Sequence, residues 1–152
     1  MKIYLATDHA GFELKEKIKS YLKDKDYNLE DCGAFSFDKD DDYPDFISKA
    51  AEAVSKDPDN SKAIILGGSG QGEAIVANKF DNVRAVVFYG SNQEIVPLSR
   101  EHNDSNILSL GARFLTGDDA IKVVQLWLDA KFLSDERHVR RIDKIKQIEQ
   151  NS

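Results

Sequence analysis

Cysteine is nearly missing from this chain: Cys32 is the only one in 152 residues. That excludes a disulfide framework and a Cys-rich metal site. Histidine occurs three times, at His9, His102 and His138, with no H-x-x-x-H spacing, so no zinc site is expected. Proline is also scarce, with three residues, and no low-complexity tract, linker or repeat interrupts the chain. No apolar run approaches the roughly 18 residues of a membrane-spanning helix. Positive charge is in deficit. Lys and Arg number 21 against 27 Asp and Glu, a net charge of −6, so a general electrostatic grip on nucleic acid or anionic membrane is not expected. The opening Met1-Lys2-Ile3-Tyr4-Leu5-Ala6-Thr7-Asp8 reaches an acid at once and lacks the apolar core of a signal peptide. Hydrophobic residues at 41% and charged residues at 32% argue against disorder. The expectation is one soluble, acidic, cytoplasmic domain over residues 1–152.

What is present alternates short β-type runs with helical periodicity. Lys2 to Thr7 reads as a strand, followed by a helix with Leu14, Ile18, Tyr21 and Leu22 on one face. Asn28 to Cys32 is a weaker strand. Residues 36–45 form an acidic loop, in which the run Asp38, Asp40, Asp41 and Asp42 reads as solvated. A helix carrying Phe46, Ile47, Ala50 and Val54 follows. The remaining strands are placed at Ala63–Leu66, Val83–Tyr89 and Asn106–Leu110, and helices near residues 73–79 and 92–103. Pro97 is expected in a first helical turn, where its missing N–H does no harm. Two helices close the chain, one with Ile121, Val124 and Leu128, the other with Ile142, Ile145 and Ile148. Five strands alternating with helices predict an α/β fold: a three-layer α/β/α sandwich with a five-stranded parallel sheet. Working groups in such sheets sit on loops after the C-terminal strand ends.

The most informative stretch is Gly67-Gly68-Ser69-Gly70-Gln71-Gly72-Glu73. Its glycines let backbone approach a ligand closely, and the loop opens a helix whose first N–H groups are free. G-x-G-x-x-G fails because Glu73 stands at the third position, and the Walker pattern fails because Glu73 replaces lysine. A serine-hydrolase elbow around Ser69 fails at Gln71. A carboxylate here would repel phosphate. Beside a nest of amides, it suits a proton-moving base next to a transient oxyanion such as an enediolate. Arg137-His138-Val139-Arg140-Arg141 is the densest basic run; Arg137 and Arg141 share a helix face and could fork onto a phosphate. Cys32 reads as a small buried hydrophobe, and Trp127, Phe114 and Phe132 as core or interface.

Taken together, Asp8-His9-Ala10-Gly11, Asp42-Tyr43-Pro44, Gly67 through Glu73, Ala77-Asn78-Lys79, Arg84-Ala85, Ser99-Arg100-Glu101-His102-Asn103, Gly111-Ala112-Arg113 and Arg137 through Arg141 resemble the type B ribose-5-phosphate isomerases. That family also holds galactose- and allose-6-phosphate isomerases. The resemblance spans residues 1 to about 150 and implies a Rossmann-like sheet. Many members carry a catalytic cysteine where Gly67 stands, so this chain is similar to the branch that uses a glutamate. The resemblance implies Glu73 as base between C1 and C2, with Ser69 and the amides of residues 68–72, including Gly68, Gly70 and Gly72, holding the enediolate. It implies His102 for ring opening and Asp8 for proton movement between O1 and O2. It further implies His9, Arg137 and Arg141 on the phosphate, with Arg113, Asn103 and Tyr43 positioning substrate. No metal or organic cofactor is implied. A dimer or tetramer with shared sites is, with His102, Asn103 and Arg113 acting across the interface and the helix over about 137–150 packing on a partner subunit. A six-carbon sugar phosphate as substrate, or a non-catalytic sugar-phosphate binding module, are the alternatives.

Overall fold

A computed structural model describes residues 1–152. Its centre is one all-parallel sheet of β1 (Lys2–Thr7), β2 (Asn28–Asp31), β3 (Ser61–Gly67), β4 (Ala85–Phe88) and β5 (Ile107–Gly111), in the order β2-β1-β3-β5-β4. Helices α1 (Phe12–Asp24), α2 (Pro44–Lys56), α3 (Gln71–Ala77), α4 (Ile95–Asn103), α5 (Gly117–Asp129) and α6 (Glu136–Gln150) surround it. Single 3-10 turns at His9–Gly11 and Ala112–Phe114 lead out of β1 and β5.

Side-chain alternation along the strands feeds two cores. Ile3, Leu5, Ile64, Leu66, Leu108 and Leu110 face one side, against Leu14, Ile18 and Leu22 of α1 and Val123, Val124 and Trp127 of α5. Ala6, Ala63, Ile65 and Ile107 face the other, against Ile47, Ala50, Ala51 and Val54 of α2 and Ala77 of α3. Each fully buried Leu or Ile contributes about 1.5–3 kcal/mol. Trp127, fully buried, donates its indole N–H to the Ser105 hydroxyl at 2.9 Å.

The predicted elements are all present, with shifted ends. β3 extends back to Ser61, whereas β4 shrinks to Ala85–Phe88 because only those residues pair with β5. α3 starts two residues earlier than expected, at Gln71, and α4 three residues later, at Ile95. Pro97 does sit in the first turn of α4. Cys32 lies just beyond β2 and is half-buried, and burial first, then Glu30 and Asp31, pushes its thiol up to about 11.

Register decides where function can lie. Thr7 of β1 pairs level with Leu66 of β3, and Gly67 of β3 with Gly111 of β5. The loops after β1, β3 and β5 therefore emerge side by side. β2 lies on one side of β1 and β3 on the other, which places a topological switch point, and its crevice, between β1 and β3.

Candidate active site

Asp8 follows β1 and caps the next turn, its Oδ1 accepting the Ala10 N–H at 2.9 Å. The Thr7 hydroxyl donates to the Leu66 carbonyl at 3.0 Å and ties the β1 exit to β3. Gly11 packs so closely on Thr7 and Leu66 that a Cβ would overlap both.

After β3 the chain turns through Gly70, whose φ of 78° favours glycine, and enters α3. The Gly70 carbonyl accepts the Ser109 hydroxyl at 2.7 Å, and Gly68 O accepts the Arg113 N–H at 3.1 Å. Both bonds pin the loop to β5 and the turn after it. The first i to i−4 bond of α3 runs from Ala74 N to Gly70 O, so the amides of Gln71, Gly72 and Glu73 precede the helical ladder. Ser69 is exposed, its Oγ 3.4 Å from the Gln71 N–H.

Glu73 is the third residue of α3 and only 4% exposed. Burial pushes its carboxyl above the ordinary range; its own backbone N–H opposes this and the nearby Asp8 charge adds to it. The carboxylate lies against Gly67, where a Cβ would overlap it. A side chain at 67 and the carboxylate of 73 therefore compete for one space. This is the position at which the resemblance places cysteine in many members.

Asp8, His9, Ala10, Tyr43, Gly68, Ser69, Gly72, Glu73 and Arg113 line one cleft of about 320 Å³. Arg113 corrects the expectation that it acts across an interface: its guanidinium lies over Gly68 of its own chain, and the Tyr43 ring packs against Gly72 so tightly that no Cβ would fit. Nine of the thirteen residues expected at the site are brought together here: eight on the cleft lining, and Gly70 as the turn that carries it.

The other four stand elsewhere in the chain. Asn103 lies at the end of α4, against an apolar hollow lined by β4 and α4. His102 stacks on His138 of α6, ring centroids 4.6 Å apart and planes 15° off parallel. Arg137 and Arg141 are exposed on α6. His138, expected in polar surroundings, is 3% exposed, and its Nε2 makes no hydrogen bond, the Asp135 carboxylate standing 3.9 Å away. Burial lowers its pKa, His102, Arg137 and Arg141 act the same way, and Asp135 opposes them.

Asp38, Asp40 and Asp42 are exposed, as expected of a solvated run, and Asp41 is the exception that corrects it. Its side chain is 8% exposed and bonded to His9, Oδ1 accepting both the ring Nδ1–H at 2.6 Å and the backbone N–H at 3.1 Å. The two residues lie 32 positions apart, and no local pattern links them. Asp8, His9 and Asp41 each offer a ligand atom within 4.8 Å of the others, but the His9 Nδ1 is already committed to Asp41.

The Ribose/Galactose Isomerase family model matches residues 3–145. Ribose-5-phosphate isomerase B of Mycolicibacterium paratuberculosis is 42% identical over 149 residues, covering 98% of this chain and 92% of that protein. The crystal structure of ribose-5-phosphate isomerase B from Mycoplasma genitalium with bound ribulose-5-phosphate superposes with a TM-score of 0.95 at 39% identity, over 99% of this chain and 97% of that one. Ribose-5-phosphate isomerase B of Clostridium thermocellum gives 0.92 at 41% identity, over 99% of both chains. By matched length, identity and superposition alike, this chain belongs to the ribose/galactose isomerase family.

Proposed function

We infer that this chain is a cofactor-independent aldose–ketose isomerase that interconverts D-ribose 5-phosphate and D-ribulose 5-phosphate, with Glu73 as the base. The observation that carries the reading is the Glu73 carboxyl. It is buried, raised by that burial, and set on a glycine-amide cleft that also presents the cationic Arg113 and His9. A carboxyl raised toward the working pH is suited to taking a proton and giving it back. A relative of nearly the same backbone holds ribulose-5-phosphate.

Glu73 removes the C2 proton of the open-chain aldose. The C–H electron pair becomes the C1=C2 double bond, and O1 takes up negative charge. Amides of residues 68–72 and the Ser69 hydroxyl donate to that enediolate; one such donor is worth about 2.7–4 kcal/mol. Asp8 moves the proton of O2 to O1, the C2 carbonyl forms, and Glu73 returns its proton to C1. His9, Arg137 and Arg141 bind the phosphate, and Tyr43, Asn103 and Arg113 align the sugar. His102 assists opening of the furanose ring.

His102, Asn103, Arg137 and Arg141 lie off the cleft of their own chain. This supports a homo-oligomer in which one subunit's cleft receives them from its partner. α6 suits that role: of its 15 residues only His138 and Ile142 are buried, while Val139, Ile145 and Ile148 stand exposed. The test is the isomerisation of ribose 5-phosphate by the purified chain in D2O, beside allose 6-phosphate and galactose 6-phosphate. The expected result is exchange at C2, with the highest kcat/KM for the five-carbon sugar. Binding without exchange would leave only a binding module, and a six-carbon preference would replace the substrate.

A further inference from the structure

The 36–43 loop closes onto the turn after β1 through Asp41 and His9. A carboxylate that is 8% exposed needs a counter-charge close by. His9 is the one cationic partner that Asp41 has, and its second oxygen, Oδ2, is buried without a hydrogen bond. The Asp41 Oδ1 grips His9 at two points, ring and backbone, which fixes the ring orientation and favours the charged form. The Phe37 ring meets the imidazole edge-on, centroids 5.9 Å apart at 87°, and closes one side. With Nδ1 committed, Nε2 is the donor left to a ligand, and His9 lines the cleft that holds Glu73.

We propose that Asp41 is a positioning residue that locks His9 as the fixed cation of the cleft, one N–H turned to the substrate phosphate. This rests on the reading of the cleft as a phosphorylated-sugar site. The charged groups around the ring are Asp41 from the loop, Asp8 beside it, Arg113 from the turn after β5, and Glu73 across the cleft on α3. The hydrogen bond to Asp41 is the largest influence raising the His9 pKa above 6.5; desolvation opposes it, the charges of Asp8 and Asp41 add to it, and Arg113 opposes them. His9 therefore stays protonated at pH values where a free histidine is neutral. A charged donor grips a phosphate about twice as strongly as a neutral one.

Asp41→Asn keeps the shape and the acceptor oxygen but removes the charge. His9 then loses the largest influence that raises its pKa, while desolvation and Arg113 still lower it, so much less of it is charged at pH 7.5 than at pH 6. The KM for ribose 5-phosphate, relative to wild type, should rise about tenfold at pH 7.5 and less than about threefold at pH 6. The effect should fall on KM more than on kcat. In a His9→Gln background the same substitution should change KM little further. A direct readout needs no turnover: with three histidines in the chain, the His9 ring resonance is identified by its loss in His9→Gln, and its NMR titration midpoint should drop in Asp41→Asn. An unmoved midpoint overturns the proposal whatever the enzyme's substrate is. A moved midpoint with an equal KM penalty at both pH values overturns the phosphate role alone.

Discussion

Replacing Glu73 by glutamine separates chemistry from folding in a single variant. The amide has the shape and volume of the carboxyl, so a site that is 4% exposed can keep its packing. It cannot accept a proton. Loss of a positioned general base lowers turnover about 10²–10⁴-fold, which is about 2.7–5.4 kcal/mol of barrier at 1.36 kcal/mol per decade. Stability should move the other way. The folded-state pKa lies above the ordinary 4.5, so the folded chain holds a proton that the unfolded chain has released. That contribution is fully present below 4.5 and is lost as pH rises through the folded value. At pH 7 the buried charge is a net cost, and the amide removes it. Urea titrations should therefore find Glu73→Gln at least as stable as wild type at pH 7, with the advantage shrinking toward pH 4. A continuous ribulose 5-phosphate assay gives kcat. Turnover within about tenfold of wild type would refute the base assignment. A loss of more than about 1 kcal/mol of stability at pH 7 would show the carboxylate to be a structural group instead.

Gly67→Ala should push the Glu73 carboxylate aside and lower kcat about tenfold or more with an unchanged circular dichroism spectrum, since a 1 Å misplacement is costly; undiminished kcat would mean that the carboxylate need not lie there. Arg137→Ala should weaken binding of ribose 5-phosphate about tenfold or more while barely touching inhibition by free ribose; equal losses would exclude a phosphate contact. His138 is held neutral in the fold, so stability should be lost as pH falls from about 6.5 toward its lowered folded pKa. His138→Phe keeps a ring against His102, and its urea midpoint should fall less between pH 7 and pH 5 than that of wild type; parallel curves would contradict the assignment.

Strand and helix identity, the parallel sheet and the glycine loop with its glutamate are written in local sequence. Period-2 and period-3.6 patterning, and the turn residues at the strand ends, act over a few positions and need no distant partner. What the local pattern cannot carry is the pairing of residues far apart. Asp41 reads as one more acid in a solvated run, yet the fold closes it onto His9, and burial turns it into half of an ion pair. His138 reads as polar and is buried against His102 because α6 lies across α4. Register, set by pairing across the sheet, brings the exits of β1, β3 and β5 level and makes one cleft of Asp8, Glu73 and Arg113. The same tertiary packing leaves Arg137 and Arg141 outside the cleft of their own chain, although the resemblance implies them at the same site, shared between subunits. Residue type and spacing thus determined the chemistry on offer, while burial and long-range contact decided which groups share a space and what charge they hold there.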